Sequence, residues 1–190
     1  MKARENPFAV DRVQTIRYRP LDATLGEILA RLRELSYRGA IVGPDGSGKT
    51  TLLEDLQRAL EAEGLATRMV FVNDTSPLPA PACRRLLSEL DRDEIVLLDG
   101  ADSVPRSCWS LLKRRTVLHA AGLVITSHRP GMLPTLLECT TSLELLREIV
   151  ADLQPFNRPV PPDLLASLYI RYHGNLRDCL RALYDLHAGV

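Results

Sequence analysis

The segment Gly43-Pro44-Asp45-Gly46-Ser47-Gly48-Lys49-Thr50 has the residue types and spacing to hold a cluster of phosphate oxygens. It fits G-x-x-x-x-G-K-[ST]. Phosphate oxygens need many donors converging on one small volume. Glycines at 43, 46 and 48 open backbone conformations that are closed to other residues. Successive N–H groups can then face a single anion-binding concavity. The apolar run Gly39-Ala40-Ile41-Val42 leads into the loop, and a helix-forming stretch from Thr51 to Leu56 follows it. The unpaired N–H groups and positive dipole end of that helix join the same concavity. Lys49 has the reach for β- and γ-phosphates, and the Thr50 hydroxyl is suited to Mg²⁺. Thr51 completes the set expected to contact phosphate.

A triphosphate site also needs a carboxylate for the Mg²⁺ shell, placed at the tip of a buried strand and expected beside the strand that feeds the loop. Glu94-Ile95-Val96-Leu97-Leu98-Asp99 supplies four apolar residues and then Asp99. Asp99-Gly100 also fits a plain turn at a strand end. Many phosphate-loop ATPases carry Glu directly after this Asp, where it orients the attacking water. Gly100 stands there instead. Asp102 is the nearest carboxylate able to substitute, and it fits equally well as a helix cap. A further strand ends Val124-Ile125-Thr126-Ser127-His128-Arg129. Thr126, Ser127 and His128 are polar candidates for contact with a γ-phosphate or with water, and His128 is the sharpest because imidazole can donate or polarise.

Positioning these residues requires strands that alternate with helices. Strand patterns fall at Gly39–Val42, Thr67–Val72, Ile95–Leu98 and Leu123–Thr126, each short, apolar and rich in β-branched residues. Helical patterns fall at Lys49–Glu63, stopping at Gly64, at Cys83–Leu90 and at Ser107–Ala121. Residues 73–81 read as a loop stiffened by three prolines. Alternation of this kind predicts a mostly parallel sheet with helices on both faces. Residues 1–22 read as extended. Thr24-Leu25-Gly26-Glu27 fits a capping box that opens an additional N-terminal helix. Beyond Gly131 a last strand is expected near Leu137–Thr141. Ser142 then caps a helix over Leu143–Leu153. A joint bearing Pro155, Pro159, Pro161 and Pro162 follows, then helices over Asp163–His173 and Leu176–His187.

The 190 residues suit one domain with a small appendage, and 45% hydrophobic content supplies a sizeable core. Lys+Arg and Asp+Glu both number 24, so net charge gives no global reason to expect nucleic acid or an anionic membrane as partner. Cys83, Cys108, Cys139 and Cys179 are far apart and lack metal-ligand spacing, which reads as thiols in a reducing compartment. No apolar run approaches the roughly 20 residues of a membrane span, and the polar N-terminus lacks a signal-peptide core. The expected location is cytoplasmic.

In order, the loop at 43–50, the Asp99 strand and the Thr126–Arg129 strand end resemble Walker A, Walker B and sensor 1 of the AAA+ and STAND-like branch of P-loop ATPases. Gly174-Asn175-Leu176-Arg177 resembles the sensor 2 segment that opens a lid helix. The resemblance covers roughly residues 36–188 and implies a P-loop NTPase fold. Residues 1–35 would be an N-terminal arm and helix, 36–141 the nucleotide-binding core and 142–190 a small helical lid. It implies ATP and Mg²⁺ as ligands and tilts toward self-association or a protein partner. It gives Arg177 a place over the γ-phosphate, for which a permanent, planar charge is suited; a surface helix arginine reads the same residue. Three departures stand out: Gly100, a helical part shorter than a usual lid, and no clear arginine finger among Arg106, Arg114, Arg115 and Arg129. The segment Arg38–Pro44 with its loop is also similar to small bacterial ATP-binding proteins, a likeness that adds no function.

The leading expectation is a Mg²⁺-dependent ATP hydrolase whose nucleotide state drives lid movement or partner binding. Lys49, Asp99, Asp102, His128 and Arg177 would be its catalytic residues. A P-loop small-molecule kinase is the first alternative. A non-hydrolysing, nucleotide-gated binding protein is the second, and Gly100 is its main support. No [NT]-K-x-D segment reads guanine, and no L-S-G-G-Q segment marks an ABC-type ATPase.

Overall fold

In a computed structural model, residues 6–20, 23–73, 75, 78–154 and 159–188 are described. Asp74, Ser76 and Pro77 of the expected loop, and Pro155 of the expected joint, lie outside them. So do Leu21 and Asp22 and the first five residues of the N-terminal arm. The element order is α1 (Val10–Val13), α2 (Leu25–Glu34), β1 (Arg38–Val42), α3 (Lys49–Ala62), β2 (Ala66–Phe71), α4 (Ala80–Ser88), β3 (Glu94–Asp99), a 3₁₀ turn (Ala101–Ser103), α5 (Arg106–His119), β4 (Gly122–Ser127), β5 (Thr135–Glu138), α6 (Leu143–Leu153), α7 (Pro162–Arg171) and α8 (Leu176–Ala188).

The chain divides into two compact units. One holds residues 20–43 and 49–138, and it contains the sheet. All five strands are parallel, in the order β2-β3-β4-β1-β5. Side chains alternate between the faces with the two-residue period of a strand. Ala40, Val42, Val96, Leu98, Leu123 and Ile125 join residues of α4 and α5 in one apolar cluster. Their neighbours Ile41, Ile95, Leu97 and Val124 are also fully buried. The buried stripe of α3 is Leu52, Leu53, Leu56 and Leu60, and α3 packs on four of the strands. This is the α/β architecture the sequence pattern predicts.

The order corrects one expectation. β3 is not beside the strand that feeds the phosphate loop, because β4 lies between them. The polar end of β4 is therefore interposed between the loop strand and Asp99. Three boundaries also differ. The last strand, expected near Leu137–Thr141, is β5 at Thr135–Glu138, where it pairs with β1 from Ala40 onward. Residues 10–13 form a helical turn inside the N-terminal stretch read as extended. α4 begins at Ala80, with Pro81 in its first turn, because a first-turn proline forfeits no intrahelical bond.

Local chemistry fixes several ends. Thr24 and Glu27 make the expected capping box on α2, and the Ser142 hydroxyl accepts from the Leu145 N–H to start α6. Arg38 at the start of β1 closes the C-terminus of α5. Its guanidinium donates to the Thr116 carbonyl at 2.6 Å and more distantly to that of Ala120 at 3.4 Å. A cation at that end also meets the negative pole of the helix.

The other unit is assembled from residues 1–19, 44–48 and 139–190. Its core is Leu145, Leu146, Ile149, Val150 and Leu153 of α6, Leu165 and Leu168 of α7 and Leu176, Leu180 and Leu183 of α8. Phe8 from the N-terminal stretch joins this core, its ring edge-on to that of His187 at 4.9 Å. The Asn6 side-chain amide donates to the Tyr184 carbonyl at 2.9 Å. Among the described residues no helix is long and apolar enough to cross a membrane.

Candidate functional site

Thr50 lies in the first turn of α3, which begins immediately after Gly48. Its hydroxyl donates to Asp99 Oδ2 at 2.8 Å. Asp99 is the last residue of β3. Its other oxygen, Oδ1, accepts from the Thr126 hydroxyl at 2.6 Å. Thr126 sits near the end of β4 and is 1% exposed. The same hydroxyl oxygen accepts from the Gly100 N–H at 2.8 Å. Residues from α3, β3 and β4 are thus tied through one carboxylate. Lys49 Nζ donates to the Gly43 carbonyl at 2.7 Å, so the ammonium lies back along the mouth of β1.

The three polar candidates at the end of β4 have different partners. Thr126 faces Asp99. Ser127 turns its hydroxyl to the Arg129 carbonyl, while its own carbonyl accepts from Gly43 N–H at 3.1 Å. His128 meets Asp102: the His128 backbone N–H donates to Asp102 Oδ2 at 2.7 Å, and Nδ1 lies 3.1 Å from the same oxygen. Asp102 does not cap α5. It lies in the 3₁₀ turn, and the N-cap of α5 is Pro105 with no side-chain bond. The carboxylate and imidazole, 26 residues apart in sequence, form a dyad at adjacent strand ends.

Gly100 has φ +84°, and a Cβ built on it would stand 1.9 Å from the Val72 carbonyl oxygen. No side chain fits there without moving backbone, so a Glu directly after Asp99 is excluded sterically.

Residues 44–48 belong to the other unit. Gly46 and Gly48 have φ +70° and +87°, as a loop that turns its N–H groups inward requires. Gly43 does not adopt a positive φ, and its N–H donates to the Ser127 carbonyl beside the end of β1, so only two of the three expected glycines use their conformational freedom. The side chain of Asn175 lies directly over Gly46: a Cβ there would be 1.8 Å from Asn175 Oδ1 and 3.1 Å from the Arg177 backbone nitrogen. Asn175 is the N-terminal cap of α8, its Oδ1 accepting from Asp178 N–H and its Nδ2 donating to Asp178 Oδ2. Tyr18 packs its ring over Gly48. The Asn-x-x-Asp spacing announces the cap, but nothing in the sequence around Tyr18 announces that contact. The Arg177 side chain is exposed, Ser47 is buried, and Pro44 and Asp45 are exposed. Thr51 is half-buried in the first turn of α3.

The parallel sheet with helices on both faces is the fold of AAA+ P-loop NTPase structures. Structures of RuvB from Thermotoga maritima are similar to this chain. One superposes with a TM-score of 0.61 at 16% identity, over 90% of this chain and 65% of that one; another gives 0.60 at 16% over 89% and 62%. NtrX from Brucella abortus, solved in complex with ATP, gives 0.57 at 15% identity over 93% of this chain and 51% of that one. The chain therefore spans less than two thirds of each of these relatives. No family model and no curated protein matches the sequence.

Proposed function

We propose that the chain is an ATP-binding module that hydrolyses ATP slowly with Mg²⁺, its nucleotide state communicated to the helical residues 142–190 or to a protein partner. The observation that carries this reading is the 2.8 Å contact between the Thr50 hydroxyl and Asp99 on this fold. These are hard oxygen donors of the kind Mg²⁺ takes, alongside phosphate oxygens and water. When bound there, Mg²⁺ would neutralise charge on the β- and γ-phosphates. The chain's own residues do the rest. Backbone N–H groups of the loop and the start of α3 bind the phosphates. Lys49 exchanges the Gly43 carbonyl for phosphate oxygens. Thr126 holds Asp99 in its rotamer. The Asp102–His128 dyad takes the water-orienting role for which Gly100 has no side chain, and Arg177 is assigned to the γ-phosphate.

The steric exclusion at Gly100 supports a second reading, a nucleotide-gated switch without turnover. Phosphate release from ATP and Mg²⁺, measured across a titration of protein concentration, separates the two. The expected result is release abolished in Lys49→Ala and in Asp99→Asn, with ATP binding weakened roughly tenfold or more in the first, the worth of a charge-assisted bond, and largely kept in the second. Turnover rising faster than linearly with concentration supports sites completed by neighbouring copies. Tight ATP binding without release selects the switch. Unchanged ATP affinity in Lys49→Ala removes the nucleotide reading altogether.

A further inference from the structure

The outward face of α5 carries a charge pattern that the nucleotide chemistry does not use. From residue 103 to 137 the sequence holds no Asp or Glu. Within that stretch Arg106, Lys113 and Arg114 are exposed on α5. Their side chains have no hydrogen-bond or ion-pair partner among the described residues, whereas Arg33, Arg58, Arg68 and Arg85 each pair with a carboxylate. The chain as a whole is neutral, so this is a local excess and not general basicity. The same face exposes three aliphatic side chains: Leu111 at 41%, Val117 at 60% and Leu118 at 57%. At 100° per residue all six lie away from Cys108, Leu112 and Thr116, which are the buried side of the helix.

We propose that this face of α5 docks an acidic amphipathic segment of a protein partner. Partner carboxylates pair with Arg106, Lys113 and Arg114, and partner aliphatic side chains cover Leu111, Val117 and Leu118. Charge complementarity selects an anionic occupant, and the aliphatic residues decide which kind. A single-stranded polynucleotide stacks its bases on aromatic rings and a duplex uses the cations alone; neither uses the large aliphatic side chains exposed beside them here. An interface built around an apolar centre with arginine beside it is the composition protein partners use. From Arg106 to Val117 the face runs about 16 Å, roughly three turns of a partner helix. This inference does not draw on the nucleotide reading.

The test uses the full chain and a fluorescein-labelled amphipathic helical peptide with glutamates on one face and leucines on the other, followed by fluorescence anisotropy. Saturable binding is expected, weakened severalfold when salt rises from about 50 to about 300 mM, as screening requires. Lys113→Glu combined with Arg114→Glu, and separately Val117→Asp, should each weaken binding about tenfold or more, the size of a central interface truncation. Arg84→Glu, a charge reversal at an exposed site on α4, should leave binding intact, and unchanged melting temperatures establish that the variants fold. Absence of peptide binding overturns the proposal. So does equal binding of a peptide with its leucines replaced by serine, which would make the face a plain polyanion site. Tight binding of a labelled single- or double-stranded DNA of similar charge that the same variants abolish would assign it to nucleic acid. A sedimenting dimer that they dissociate would assign it to a second copy.

Discussion

If Asp99 holds Mg²⁺ as proposed, Gly100→Glu would place a carboxylate where many P-loop ATPases carry one, and intuition predicts a more active variant. The geometry predicts a damaged one. At φ +84° and ψ 43° an L-residue costs about 1–2 kcal/mol. The added Cβ then meets the Val72 carbonyl oxygen at 1.9 Å. That carbonyl is not free to retreat, because Val72 N–H donates to the Asp99 carbonyl at 2.9 Å. Relief also pulls the Gly100 N–H from Thr126 Oγ1, and the two bonds at risk are worth about 1 kcal/mol each. The sum is about 3–4 kcal/mol, a large share of the 5–15 kcal/mol typical of a whole domain. At about 2–4 °C per kcal/mol for a chain of this size, melting should fall by roughly 6–16 °C. Gly100→Ala isolates the backbone part and should show most of the loss. Urea and thermal unfolding followed by circular dichroism measure it, with phosphate release beside them. An alanine variant within about 0.5 kcal/mol of the parent, inside the ordinary scatter of a surface substitution, would refute the steric argument. A glutamate variant with increased turnover would refute its functional half.

The remaining expectations are narrower. Thr126→Val keeps shape but strands the Gly100 N–H and one lone pair of Asp99, so urea unfolding should show a loss of about 2–4 kcal/mol, together with weaker Mg²⁺ dependence of nucleotide binding. Arg38→Met removes the guanidinium from the end of α5, and a loss of about 1–3 kcal/mol is expected, with hydrogen exchange speeding first at Ala120 and the last turn of that helix. Arg177→Ala should change turnover while leaving unfolding within about 0.5 kcal/mol, as for an exposed residue; unchanged kinetics would return Arg177 to the surface.

Much of this was legible in the chain because local rules governed it. Ser142 and the periodicity after it set α6 at its observed bounds, and the capping box at Thr24 set the start of α2. The β-branched runs placed four strands to within a residue or so at each end. What was hidden depends on neighbours far away in sequence. No local pattern says that β4 separates β1 from β3, and for that reason the hydroxyl of Thr126, not His128, lies against Asp99. The Asp102–His128 pairing follows from the same strand order. Proline misled at Pro81, where the loop reading overlooked its tolerance in a first helical turn. Four residues at Val10–Val13 are too few to show a period.

The unit that owns residues 44–48 cannot be completed early in synthesis. Asn6 waits for Tyr184, and Gly46 waits for Asn175, while every strand has been made once residue 138 emerges. At about 5–20 residues per second, the roughly fifty residues that follow take some 3–10 s. For that interval the nascent chain can hold a finished sheet while residues 44–48 still lack their α8 neighbour. A message truncated after α6 would make that interval permanent.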